Sequence, residues 1–145
     1  MSLVRFNPKA NDIRVWVRLL GPHGIAWCEM VLDTGSSRTV IDEGVLVRTG
    51  YDLTIAPTRT VATASGMTEV KLVSIQQIDA LGLTFTNFTV LAMPLLLPLR
   101  TEGLLDFLRH RNLFFNFDKG ILLTLPFARN LMHRFSLSIR LFAAM

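Results

Sequence analysis

The chain has 145 residues, half of them hydrophobic and 18% charged, which fits one ordinary domain and excludes a disordered or low-complexity chain. Its single cysteine, Cys28, excludes an internal disulfide framework and a multi-cysteine zinc site. The formal charge of +4 sits wholly in the last residues (Lys119, Arg129, Arg134 and Arg140, with no acidic residue after Asp118), so the body is neutral and lacks the basic face of a nucleic-acid-coating protein.

Arg5, Lys9, Asp12 and Arg14 interrupt the N-terminus, so it does not read as a secretory signal, and with one cysteine this favours a cytoplasmic setting. Residues 13–20 (IRVWVRLL) alternate, which predicts a strand with Val15, Val17 and Leu19 inward and Arg14, Trp16 and Arg18 outward. Gly21-Pro22-His23-Gly24 is turn chemistry, and 25–32 (IAWCEMVL) resumes as the second arm of a hairpin. Small polar residues then break the pattern at 33–37 (DTGSS). A β-branched strand follows at 39–41, then a short helix over 43–49 with Asp42 as N-cap and Gly50 past its C-terminus.

Two alternating segments, 59–64 and 68–78, flank Ser65-Gly66 and predict a longer hairpin. The run from 80 to 99 carries no charge and is long enough to span a bilayer, but Gly82, Asn87, Pro94, Pro98 and three threonines speak against that. Residues 84–93 read as strand, and 102–111 (EGLLDFLRHR) as a short helix or helical turn. A last hairpin joins 113–117 to 121–125 through Asp118-Lys119-Gly120. The reading is a mainly β domain over residues 1–126 and a basic, apolar tail over 127–145. The three histidines are scattered, no H-E-x-x-H motif occurs, and neither metal nor cofactor is expected. Cys28, mid-strand, reads as a buried apolar residue. Asp106 reads as a helix-region residue with solvent or backbone partners.

An acidic residue leaving an apolar strand into Asp33-Thr34-Gly35-Ser36 is, by itself, equally a turn. The order of motifs says more. Asp33-Thr34-Gly35-Ser36 and Thr39-Val40-Ile41-Asp42 are followed by Thr63-Ala64-Ser65-Gly66. Gly103-Leu104-Leu105-Asp106-Phe107-Leu108 and Phe117-Asp118-Lys119-Gly120 complete the series. This series resembles the single-domain, retroviral-type (retropepsin-like) aspartic proteases, especially their bacterial members, across about 13–126.

The resemblance implies a closed β-barrel acid-protease fold with one or two short helices, acting as a homodimer on extended peptide or protein substrates. Asp33 would be one half of a catalytic dyad, completed by Asp33 of a second copy. Gly35 would let a backbone amide approach the Asp33 carboxylate, and Thr34 would hydrogen-bond across the dimer axis. Ser36 would donate its hydroxyl to Asp33. Thr63, Ala64, Ser65 and Gly66 would form a substrate-binding flap. A serine nucleophile at Ser36 or Ser37 competes poorly, because no G-x-S-x-G elbow surrounds it.

One stretch departs from the family pattern. Where the family reads G-L-L-G-M-D-F-L, this chain runs from Gly103-Leu104-Leu105 directly into Asp106, without the second glycine. The departure motivates an alternative, a peptide-binding or dimerisation module without strong turnover. For the tail, a dimer-interface role is the first reading and an anionic membrane surface the second.

Overall fold

Alternation between an apolar and a polar face decides most of the architecture. A computed structural model describes residues 2–33, 36–95, 101–106 and 112–125. It opens with β1 (Ser2–Arg5), a strand the sequence does not signal. The predicted first hairpin forms as β2 (Arg14–Gly21) and β3 (Gly24–Leu32), paired from Arg14↔Val31 to Gly21↔Gly24 around the two-residue turn Pro22-His23. Val15, Val17, Leu19, Cys28 and Met30 are buried on its inner face, as the period of two requires. Full burial pushes the Cys28 thiol up to about 12, so it is an inert core group.

β4 (Val40–Asp42) leads into α1 (Glu43–Arg48), whose first turn is capped by Asp42: its carboxylate accepts the Gly44 amide at 2.9 Å. Gly50 ends the helix at φ +95, a conformation that favours glycine, and any Cβ there would lie 2.6 Å from the His23 ring. β5 (Thr58–Thr63), β6 (Gly66–Ala80) and β7 (Leu83–Met93) then form a meander. Leu81 and Gly82 both have positive φ in the tight β6–β7 turn. The charge-free run is therefore strand and turn as far as Met93. Among the described residues, no helix is long and apolar enough to cross a membrane.

The helix predicted over 102–111 is corrected by the structure in its first half. Gly103–Leu105 is a strand, β8, and residues 107–111 lie outside the described residues. β8 is inserted between two neighbours, running parallel to β3 (Val31↔Leu104, Leu32↔Leu105) and antiparallel to β4 (Val40↔Leu104, Ile41↔Gly103). Pairing on both sides outweighs a helical propensity worth only tenths of a kcal/mol per residue.

The strands run in the order β2-β3-β8-β4-β7-β6-β5, and β6 returns to pair with β2 through Arg18↔Asp79 and Leu20↔Gln77. The first six in that order thus close into a barrel around Val17, Leu19, Met30, Ile41, Ile75 and Ile78. β9 (Asn112–Asn116) and β10 (Ile121–Leu125) form the predicted last hairpin. They join β1 in a three-stranded sheet of order β1-β10-β9. The tail expected over residues 127–145 lies outside the described residues.

Candidate active site

Asp33 is the first residue past the end of β3. Its position is set by the barrel, because its amide donates to the Leu105 carbonyl at 3.1 Å and prolongs the β3–β8 pairing by one bond. The preceding Leu32 amide donates to the Ile13 carbonyl at 2.8 Å, so the strand is tied on both edges as it delivers the acid. The Asp33 side chain is half-buried, open to a reactant yet held.

The loop closes back on that carboxylate. The Ser36 amide donates to Asp33 Oδ1 at 3.2 Å and holds that oxygen in place. The Ser36 hydroxyl does not take the expected place on Asp33. It donates instead to the Arg38 carbonyl at 2.5 Å, and the backbone amide serves the carboxylate in its stead. Thr34 and Gly35 lie outside the described residues.

Behind the loop, Thr39 is 1% exposed and bridges two strands. Its carbonyl accepts the Leu91 amide at 3.0 Å, and its hydroxyl accepts the Asp106 amide at 3.3 Å. Asp106 is accordingly buried, at 4% exposure, where the sequence suggests a helix-region residue with solvent or backbone partners. The bond from its amide to Thr39, behind the Asp33 loop, holds it there.

In the segment that lacks the second glycine, Gly103 makes a close backbone approach. A Cβ at Gly103 would lie 2.2 Å from Met30 Cε and 2.6 Å from the Val40 carbonyl oxygen, so only glycine fits between β3 and β4. With that close approach made at Gly103, Leu105 still reaches the Asp33 amide.

The four expected substrate-contacting residues lie together at the end of a projecting hairpin. β5 and β6 pair from Thr58↔Lys71 to Thr63↔Gly66, leaving Ala64-Ser65 as the two-residue tip. β6 meets β7 only from Lys71 onward, so among the described residues the hairpin beyond it has no third strand. The Thr63 hydroxyl donates to the Gly66 carbonyl at 2.8 Å and lies 3.0 Å from the Ser65 hydroxyl, which stiffens the tip. Ala64, Ser65, Gly66 and Met67 are exposed. No cluster of three or more His, Cys, Asp or Glu suited to a metal ion occurs among the described residues.

Comparison with known proteins agrees with this geometry. The solved structure of a retropepsin-like aspartic protease from Rickettsia conorii superposes with a TM-score of 0.63, covering 84% of this chain and 87% of that one at 18% identity. At that identity the likeness speaks to the fold alone. A comparison with curated proteins finds no match. The model of the aspartyl protease family matches residues 23–107, more than half of the chain and a stretch that holds Asp33, the projecting hairpin and β8. The chain belongs to the aspartyl protease family and has the retropepsin-like fold.

Proposed function

We propose that the chain is a homodimeric aspartic endopeptidase, hydrolysing peptide bonds in extended substrates with two Asp33 carboxylates, one from each subunit. The observation that carries this reading is the built position of Asp33. Its amide is tied to β8, one carboxylate oxygen is held by the Ser36 amide, and the side chain remains half-open.

One chain carries one such loop, so the dyad needs a second copy on a two-fold axis. Two carboxylates brought together share a single proton and titrate as a pair. The ionised oxygen takes a proton from a water held between them as that water attacks the peptide carbonyl. The protonated partner donates to the carbonyl oxygen. The projecting hairpin closes over the substrate, and its backbone near Ala64, Ser65 and Gly66 pairs with the extended peptide as an added strand. Rate should favour acidic pH, where the pair holds its single proton.

The second reading, a binding module without turnover, rests on the shortened segment after Gly103. The Leu105–Asp33 contact argues against it, since the segment reaches the loop despite its length. The test is incubation of wild type and Asp33→Ala with a denatured protein across acidic and neutral pH, with and without pepstatin. Cleavage that the substitution abolishes and pepstatin inhibits is expected. Absence of cleavage in both proteins at every pH, with dimers confirmed, would favour the binding module.

A further inference from the structure

The outer face of the β2–β3 hairpin exposes large apolar side chains among its ion-paired Arg14, Arg18 and Glu29. Trp16 is 63% exposed, Trp27 62% and Ile25 55%, while Val15, Val17 and Leu19 on the opposite face are at most 3% exposed. The two indoles flank Arg18, which pairs in register with Trp27 and whose Nε donates to Asp79 Oδ2 at 2.6 Å. Trp16, Arg18, Trp27, Asp79, Leu81 and Gly82 contribute to the walls of a recess of about 360 Å³. That is within the range of sites that accept small apolar groups.

The end of the described chain lies at the wall of this recess. Thr124, one residue before the end of β10, donates its hydroxyl to the Leu81 carbonyl at 3.1 Å, and Ser2 packs against Gly82 on the same turn. Residues 126–145 therefore follow directly on a strand bonded to Leu81, one of the residues that wall the recess. These twenty residues include Phe127, Leu131, Phe135, Leu137, Ile139, Leu141 and Phe142, with Arg129, Arg134 and Arg140 and no acid. So many large apolar side chains need a surface to cover. Next to Trp16 in register stands Glu29, whose carboxylate pairs with Arg14 at 3.4 Å yet is 43% exposed, leaving it a side open to a further arginine. A segment tethered at the rim meets the recess at an effective concentration that a free partner does not reach.

We propose that residues 126–145 of this chain dock on the outer face of its own β2–β3 hairpin, seating apolar side chains between Trp16 and Trp27. Because these are the only two tryptophans, intrinsic fluorescence reads this face and nothing else.

The experiment is acrylamide quenching of tryptophan emission in the full chain, over concentrations spanning dimer dissociation and with or without anionic phosphatidylserine vesicles. The full chain should show blue-shifted emission and shielded indoles at every concentration without vesicles. A chain ending at Leu125 should emit further to the red and be quenched several-fold more strongly, and a synthetic peptide of residues 126–145 should restore shielding saturably. The double variant Phe135→Ser, Leu137→Ser in the full chain gives the same readout if the shortened chain fails to fold. Full-chain indoles quenched like free tryptophan would overturn the proposal. Shielding that requires high protein concentration would assign the face to a second copy, and shielding that requires vesicles would assign it to a membrane; either also overturns it.

Discussion

The loop that carries Asp33 and the hairpin from Thr58 to Lys71 differ in how many strands hold them. The loop enters from β3, leans on β8 through Leu105, and leaves through Thr39, which is bonded to Leu91 and Asp106. The hairpin is anchored at its base, where Val70 and Val61 pack with Val40 and Leu91, but among the described residues its outer end pairs only across its own two strands, with a few hydroxyl contacts at the tip. A carboxylate that must meet another within hydrogen-bonding distance needs several elements to agree on its position. A cover that must admit and release a peptide needs the opposite, a segment whose opening costs little. Changes near the loop should therefore disturb stability and rate together, and changes in the hairpin should disturb rate alone.

Gly103→Ala is the strongest way to break that contrast. The added methyl meets a flexible Met30 end but also the backbone oxygen of Val40, which cannot swing aside. A loss of about 1–3 kcal/mol is expected from overpacking. With β8 displaced from Asp33, a fall in kcat/KM of about 100-fold is expected. Thermal melting and peptide-cleavage kinetics on one preparation check both. A stable variant with full activity would show that the β3–β8 approach does not position the acid.

The same region shows where sequence reasoning reaches its limit. Alternation exposed the hairpins and their inward faces, and Asp42 and Gly50 marked both ends of the helix, because each signal is local. β8 was hidden because Gly103–Leu105 is held by partners some seventy residues away on β3 and sixty on β4, information no local window contains. β1 was hidden for a similar reason, since Ser2–Arg5 pairs with residues near the far end of the chain. The site was legible as a motif, Asp33 with Ser36, but not in its bonding. Which group of Ser36 reaches the carboxylate depends on the Arg38 carbonyl, which competes for the hydroxyl. The outward Trp16 was legible from alternation, whereas the recess it shares with the β6–β7 turn arises only on barrel closure.

Gly66→Ala sharpens the contrast from the other side. Gly66 sits at φ +122 in open space, so a methyl there strains the backbone without striking a neighbour. An exposed hairpin end can relax by fraying, and the melting transition should move by less than that of Gly103→Ala, with a cost below about 1 kcal/mol. Peptide cleavage should slow by roughly tenfold as closure weakens. An unchanged rate beside an unchanged melt would remove the hairpin from the mechanism.

The smallest effect is expected at Asp79, which lies far from the loop. Partial burial pushes its carboxyl up, but hydrogen bonds from Thr84, Gln77 and Arg18 and the Arg18 charge outweigh this and hold it below the usual value. A carboxyl lowered on folding contributes stability that is complete above the unfolded value near 4 and is lost as pH falls through the folded value. Asp79→Asn should therefore cost no more than about 1 kcal/mol above about pH 5 and nothing at the acid end, with cleavage unaffected. Denaturant melts at several pH values read this directly. A cost that persists in acid would place the stabilisation in packing rather than charge.

The most direct measurement of a shared dyad mixes wild-type and Asp33→Asn chains, refolds them together in varied ratio, and follows peptide cleavage at constant total protein. If each site needs an acid from both subunits, mixed dimers are inactive and activity follows the square of the wild-type fraction. Equal mixing then leaves about a quarter of the starting rate. A linear fall, to about half at equal mixing, would mean that each chain works alone and would contradict the two-subunit centre.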